Sequence, residues 1–118
     1  MSSEEEMNIK SKYNLRNDLL IVTISKGDNK GKEILLNDNF NLIFSNEGIP
    51  LFLEIYNASS VFSANKFSLT RVSDIDIIIK VEKDFINLES KFAIAIHNKN
   101  EIFNFDFKVE NTENIPSQ

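Results

Sequence analysis

The sequence lacks most of the residues from which catalytic and metal sites are built. It has no cysteine, no tryptophan and one histidine among its 118 residues. The absence of cysteine excludes disulfide bonds and is consistent with a reducing compartment. The single histidine, His97, shares a strand face with two alanines, and no nucleophile–base pair is indicated there. We therefore predict that the protein is not an enzyme and binds no cofactor.

Basic stretches and long apolar runs are also missing. Nucleic-acid binding needs a basic stripe, but the net charge is −5. We therefore expect no nucleic-acid partner, and no small-molecule substrate either. No apolar run approaches the ~20 residues of a membrane-spanning helix. The first residues are acidic where a secretory signal is basic, so we expect a cytosolic chain or a soluble fragment.

One group of carboxylates is a candidate for metal binding. Asp74 and Asp76 share a strand face, and Glu82 and Asp84 follow. Such groups bind hard cations when they converge. We interpret them as a solvated sheet edge and predict no metal site.

Short apolar segments separated by turn residues predict an all-β fold, an antiparallel β-sandwich of eight or nine strands. The first part of the chain reads as a disordered polar leader over residues 1–17, followed by a hairpin. The hairpin strands are residues 18–25 and 32–36, with Gly27 and Gly31 supplying positive φ angles in the turn. Further expected elements are a strand at residues 40–44, a loop at 45–50, and a strand or helical turn at 51–56.

The second half shows the clearest alternation. Apolar side chains share one face of residues 75–81, and short strands are expected at Lys66–Thr70 and at 85–88. A C-terminal pair of strands turns at residues 98–101 and carries a stripe of Phe103, Phe105 and Phe107. We interpret this stripe as core, with a ligand-stacking platform as the alternative.

Three stretches of the chain resemble known families of domains. The spacing of Val22, Gly27, Gly31, Glu33 and Leu36 resembles the first hairpin of forkhead-associated (FHA) domains. Residues 63–70 and 75–81 resemble the cytoplasmic N-terminal domain of the PrgH/MxiG family. These proteins build the inner-membrane ring of type III secretion injectisomes, which serve protein transport and virulence.

The resemblance implies an FHA-like sandwich over residues 18–110 and a linker over 111–118, leading to a transmembrane segment in the parent protein. It implies a structural docking role on the cytoplasmic face of the bacterial inner membrane. The implied partners are other copies in a ring, the inner-ring lipoprotein and cytosolic sorting-platform proteins. The implied contact surface corresponds to the FHA binding end: Ser45, Asn46, Glu47, Arg71, Ser73 and Asp74.

The chain departs from phosphothreonine-binding FHA domains at the phosphate site. Ser45, Asn46 and Glu47 stand where a Gly-Arg pair is expected, and Glu47 would repel a phosphate. The resemblance therefore implies a scaffold that has lost phosphopeptide binding. Two alternatives stay open: a phosphothreonine reader with Arg71 as a surrogate ligand, and a carbohydrate-binding or immunoglobulin-like sandwich.

Overall fold

The computed structural model describes residues 9–27 and 29–117. These residues form an all-β fold of two antiparallel sheets, as the sequence predicts. One sheet has five strands in the order β1-β2-β5-β4-β3, and the other has three in the order β6-β7-β8. The strands are β1 (Lys10–Asn14), β2 (Leu19–Thr23), β3 (Lys30–Leu35), β4 (Phe40–Ser45), β5 (Pro50–Tyr56), β6 (Val72–Val81), β7 (Phe85–Ile96) and β8 (Lys99–Glu110).

The predicted hairpin of residues 18–25 and 32–36 is wrong. Strand β2 pairs with β1 and β5, whereas β3 pairs with β4. None of the β2 residues is exposed, while most of β3 is. The apolar strand therefore takes a place inside the sheet and the charged strand an edge, and β2-β5-β4-β3 form a Greek key.

Neither glycine of the predicted turn has a positive φ; among the described glycines only Gly48 does. Gly31 lies instead at a bulge in β3. A Cβ there would approach the backbone of Ser45 and Asn46 to 2.6 Å. The close approach of two strands, and not turn geometry, requires this glycine.

The three-stranded sheet has a simpler path. The strand predicted at residues 85–88 and the first strand of the predicted C-terminal pair are not separate, because both fall in the single strand β7. The turn between β7 and β8 is shorter than predicted and consists of His97 and Asn98. Both have positive φ angles, 50° and 64°, as a two-residue hairpin loop requires. His97 is thus a turn residue.

The two sheets share one apolar core, and aromatic rings join them. The Phe40 ring of β4 lies 5.1 Å from that of Phe105 and 4.8 Å from that of Phe107. Phe62 packs edge-on against Phe92 and Phe105. The prediction that the C-terminal phenylalanine stripe belongs to the core is confirmed. Such tilted and T-shaped pairs add to the burial of each ring.

Two short helices lie between β5 and β6: the α-helix α1 (Ala58–Val61) and a 3₁₀ helix (Lys66–Thr70). The strand predicted at Lys66–Thr70 is therefore wrong. The Asn65 side chain accepts a hydrogen bond from the backbone N–H of Ser68 at 3.0 Å, and this local bond favours a helical turn over a strand. Neither helix is long and apolar enough to cross a bilayer.

The predicted leader and linker both contain ordered structure. Lys10–Asn14 form β1, so the prediction of disorder is wrong there; residues 1–8 lie outside the described part. In the tail, Asn111 Nδ2 donates to the carbonyl oxygens of Glu82 and Ile115, each at 2.9 Å. Ile115 is buried in the core. The linker prediction is therefore wrong for residues 111–115, while Gln118 lies outside the described residues.

Asp18 ties the β1–β2 turn to α1. Its carboxylate accepts hydrogen bonds from the Tyr13 hydroxyl at 2.6 Å and from the Ser59 hydroxyl at 2.6 Å. Burial alone would raise the pKa of Asp18, but these bonds, a backbone bond from Ser59 and nearby Lys66 outweigh it and lower the pKa. For Tyr13, burial and the Asp18 carboxylate raise the pKa.

Candidate functional site

The first half of the predicted contact surface is the β4–β5 loop. Ser45 is buried at the end of β4, and its hydroxyl accepts hydrogen bonds from the backbone N–H groups of Glu47 at 3.2 Å and Ile49 at 3.1 Å. Asn46 and Glu47 are exposed. Ser45 therefore shapes this loop, and of the three predicted contact residues here Asn46 and Glu47 are open to a partner.

The second half surrounds the start of β6. Arg71 and Asp74 are exposed, and the Ser73 hydroxyl donates to the Ala93 carbonyl oxygen at 3.1 Å. Val72 and Asp74 flank a bulge in the pairing with β7. These residues lie at the edge of the three-stranded sheet.

The structure does not bring the two halves together. Gly48, in the β4–β5 loop, lies against Ile115 and Pro116. Asn111 links Ile115 to Glu82, directly after the last residue of β6. Arg71 precedes the first residue of that strand, and ten strand residues span about 33 Å. The predicted contact surface therefore consists of two separate regions, and its role in binding stays a prediction.

The carboxylates considered for a cation are exposed. Among the described residues, no group of three or more histidine, cysteine, aspartate or glutamate side chains could hold a metal ion. One ion pair forms in the described part of the chain, between Lys80 Nζ and Glu82 Oε2 at 3.6 Å.

A different surface stands out on the face of the five-stranded sheet that is turned away from the core. Ile43 of β4 is 1% exposed, although it lies outside the main core cluster and its chain neighbours Leu42 and Phe44 belong to it. Its cross-strand neighbour Phe52 is half-buried. We call the apolar side chains of this face the outer patch: Ile21, Leu35, Ile43 and Phe52.

The outer patch is apolar where an antiparallel sheet usually meets water with polar side chains. Every residue of β4 is buried, and on its outer face Ile43 lies between the polar residues Asn41 and Ser45. At the patch margin Leu35 is 63% exposed. The patch thus has a buried centre and an apolar margin that is open to solvent.

A hydrogen-bond network runs across the same face. Asn41, which is 5% exposed, donates from Nδ2 to Glu33 Oε1 at 2.8 Å and to Glu54 Oε1 at 3.3 Å. The Tyr56 hydroxyl donates to the same Glu54 oxygen at 2.7 Å. This bond, burial and the charges of Glu54 and Glu33 raise the pKa of Tyr56 to about 12.

Lysines border the patch on both sides. Lys30 Nζ lies 6.0 Å from the centre of the Phe52 ring. On β1, exposed Lys12 pairs in register with Ile21, and exposed Lys10 with Thr23. The face therefore combines an apolar centre, fixed carboxylates and a basic border.

Sequence reasoning missed the outer patch. The sequence predicts a strand at residues 40–44. Because a strand of a sandwich is expected to bury only the face toward the core, the sequence does not predict that Ile43 is buried on the opposite face. The available signal was the failure of strict alternation, because Leu42, Ile43 and Phe44 are consecutive apolar residues.

Comparison with known proteins places the chain in a family. No family profile matches it, and no solved structure does. The uncharacterized protein MJ0789 of Methanocaldococcus jannaschii is 32% identical over 94 residues, which cover 79% of this chain and 79% of that protein. The chain belongs to the same family as this archaeal protein.

Proposed function

We propose that the protein is a non-enzymatic docking domain that binds a partner protein through the outer patch. The observation that carries the proposal is the apolar outer face around buried Ile43, where Ile21 and Phe52 are partly exposed and Leu35 is 63% exposed. Contiguous apolar surface with a polar border is typical of protein-binding sites.

The patch has the composition of an interface centre and rim. Phe52 is an aromatic anchor of the kind that contributes strongly to binding. Asn41, Glu33 and Glu54 are already joined by hydrogen bonds, so a partner need not reorder them. Pre-organisation of this kind lowers the entropic cost of association.

The charges indicate what the partner should present. Lys10 and Lys12 are exposed along one border, so a matching surface carries carboxylates there and aliphatic or aromatic side chains over Phe52. Charge complementarity of this type sets orientation and association rate.

A ring subunit of the type III secretion apparatus is a narrower form of this proposal. It rests on the family resemblance over residues 18–110, for which residues 63–70 and 75–81 are the closer match, and the relative in Methanocaldococcus jannaschii is itself uncharacterized. The identity as a PrgH/MxiG-type domain stays a prediction.

Site-specific photo-crosslinking in the cells that produce the protein tests the proposal. A photoreactive benzoylphenylalanine replaces Phe52 in one variant and Asn104, on the outer face of the other sheet, in the control. We expect a discrete crosslinked adduct from position 52 that the Lys12→Glu change weakens, and none from position 104. No adduct at position 52, or the same adducts from both positions, would contradict the proposal.

A further inference from the structure

Strand β6 presents an edge that no described residue pairs with. It is bonded to β7 on one side, and β6 ends the order of its sheet. The strand is ten residues long. Exposed edges are usually shortened or carry charges throughout, but the middle of this one is the apolar segment Ile77, Ile78 and Ile79. Ile78 is 64% exposed.

Open space runs along this edge. A groove of about 620 Å³ lies beside the first half of the strand, lined by Lys10, Val72 and Asp74 among others. A second groove of about 540 Å³ begins beside Asp76 and Ile78 and extends over the outer face of the sheet to Asn104 and Asp106. Ile9 lines both grooves, so a further strand at the usual inter-strand spacing of about 4.8 Å would lie between β6 and the start of β1.

We infer that β6 pairs with β6 of a second copy of this chain, antiparallel and about a two-fold axis at Ile77. The pairing joins the two three-stranded sheets into one continuous six-stranded sheet. It uses the unpaired backbone groups of both edges.

The charge pattern selects this register. With Ile77 opposite Ile77 of the second copy, Asp74 lies opposite Lys80 of the second copy, and the symmetric contact repeats it. On the inner face Ile75 then meets Ile79 of the second copy. Opposite charges and apolar pairs directly across two strands are the stabilising combinations.

Neighbouring registers are less favourable. A shift that centres the pair on Asp76 sets two Asp76 carboxylates against each other. A shift that centres it on Ile78 sets Asp76 opposite Lys80 of the second copy, but it also sets Asp74 against Glu82, so the attraction is offset. Like charges directly opposite are destabilising, so the sequence of the edge discriminates among its own alignments.

This contact is separate from the outer patch, which lies on the other sheet. A two-fold pair also closes after two copies, so it differs from the ring that the family resemblance implies. Loss of the pair would leave the proposed docking function of the outer patch intact.

Charge exchange at the edge tests the inference. The full chain is examined by sedimentation equilibrium at low salt, and we expect a monomer–dimer equilibrium. Asp74→Lys should raise the dimer dissociation constant by about tenfold or more, because two attractions become repulsions. Combining it with Lys80→Asp should restore the dimer. Asp106→Lys, an equal charge change on β8, is the matched control and should leave the equilibrium unchanged.

Three results would overturn the inference. These are a wild-type chain that stays monomeric at several hundred micromolar, a dimer unaffected by Asp74→Lys, and a dimer that only Asp106→Lys disrupts. Far-ultraviolet circular dichroism verifies that each variant is folded. Because restoration by the double variant requires a folded chain, unfolding cannot imitate the expected pattern.

The register has its own test, made possible by the absence of cysteine. Residues directly opposite in antiparallel strands have Cα atoms about 4.5–5.5 Å apart, which is within disulfide range. Under mild oxidation Ile77→Cys should form a covalent dimer, and Ile78→Cys should not. Crosslinking of Ile78→Cys alone, or of neither variant, would contradict the register.

Discussion

The outer faces of the two sheets differ, although their inner faces form one core. On the three-stranded sheet, the outward residues of β7 and β8 are mainly charged or amide side chains, such as Glu89, Lys91 and Asp106. On the five-stranded sheet, Ile21, Ile43 and Phe52 occupy the corresponding surface. The first face also exposes Ile78 and Ile102, but none of its outward side chains is buried, whereas Ile43 is buried at the centre of the second face. The docking proposal rests on this difference between the two faces.

The largest expected effect is a difference in the free energy of unfolding between substitutions on the two outer faces. Ile43→Ala should lower the free energy of unfolding by about 2–5 kcal/mol, because it empties a buried site. Ile78→Ala, on the other face, should change it by no more than about 0.5 kcal/mol. Urea unfolding at low micromolar concentration measures both. Equal losses would show that the two faces are packed alike.

The second prediction concerns the amide at the centre of the polar network. Asn41→Ala removes both hydrogen bonds to Glu33 and Glu54 and should cost about 1–3 kcal/mol. Asn104→Ala, at an exposed position on the other sheet, should cost no more than about 0.5 kcal/mol. The same unfolding experiment compares them. If Asn41→Ala is as stable as the wild type, the hydrogen bonds from Asn41 to Glu33 and Glu54 do not stabilise the fold.

A third prediction concerns the β1–β2 turn, where Asp18 should make the stability of the fold depend on pH. The folded-state pKa of Asp18 is lowered from 3.8, so its carboxylate stabilises the fold above that pH and the contribution disappears as the pH falls through the folded value. Asp18→Asn should therefore be less stable than the wild type at pH 6, and the two should converge below about pH 4. Asparagine keeps the positive φ of 53° accessible.

Asp106→Asn provides the control for this experiment. It makes the same substitution at an exposed position of the three-stranded sheet, so it should change the stability at pH 6 by no more than about 0.5 kcal/mol. A constant difference between Asp18→Asn and the wild type at all pH values would contradict the assignment of the acid effect to Asp18.

The smallest effect is a titration within the outer-face network. In Tyr13→Phe the sole phenol is Tyr56, whose ionisation should have a midpoint at about 12. Since the folded pKa is raised, its contribution to stability is complete below the ordinary value of 10.0 and is lost as the pH rises toward 12. Adding Glu54→Gln should move the midpoint back toward 10.0. An ultraviolet titration follows the phenolate, and an unmoved midpoint would show that Glu54 does not set this pKa.

The all-β fold class could be predicted from the sequence because the two patterns that indicate it are local. Alternation in β6 and the stripe at Phe103, Phe105 and Phe107 depend only on the period of a strand. Strand pairing was harder to predict. Residues 18–25 and 32–36 have hairpin spacing. The apolar strand β2 is nevertheless more stable between β1 and β5, where both of its edges are paired, and β5 comes from a later part of the chain.

The candidate site was less accessible to sequence reasoning than the fold. The two loops around Ser45 and Arg71 were joined only by analogy with the FHA binding end, and their separation depends on how the sheets are stacked. The outer patch requires knowing which face of β4 meets the second sheet. Ile43 reads as an ordinary core residue until the positions of Phe40 and Phe44 assign it to the opposite face.

The most direct measurement of the docking claim uses single cysteines as reporters, since the chain has none of its own. Leu35→Cys and Ile102→Cys place exposed thiols on the outer faces of the five-stranded and three-stranded sheets, and a membrane-permeant maleimide labels each in the purified protein and in living cells. We predict rapid labelling of both purified variants and selective protection of Leu35→Cys in cells. Equal labelling of the two positions in cells would contradict it.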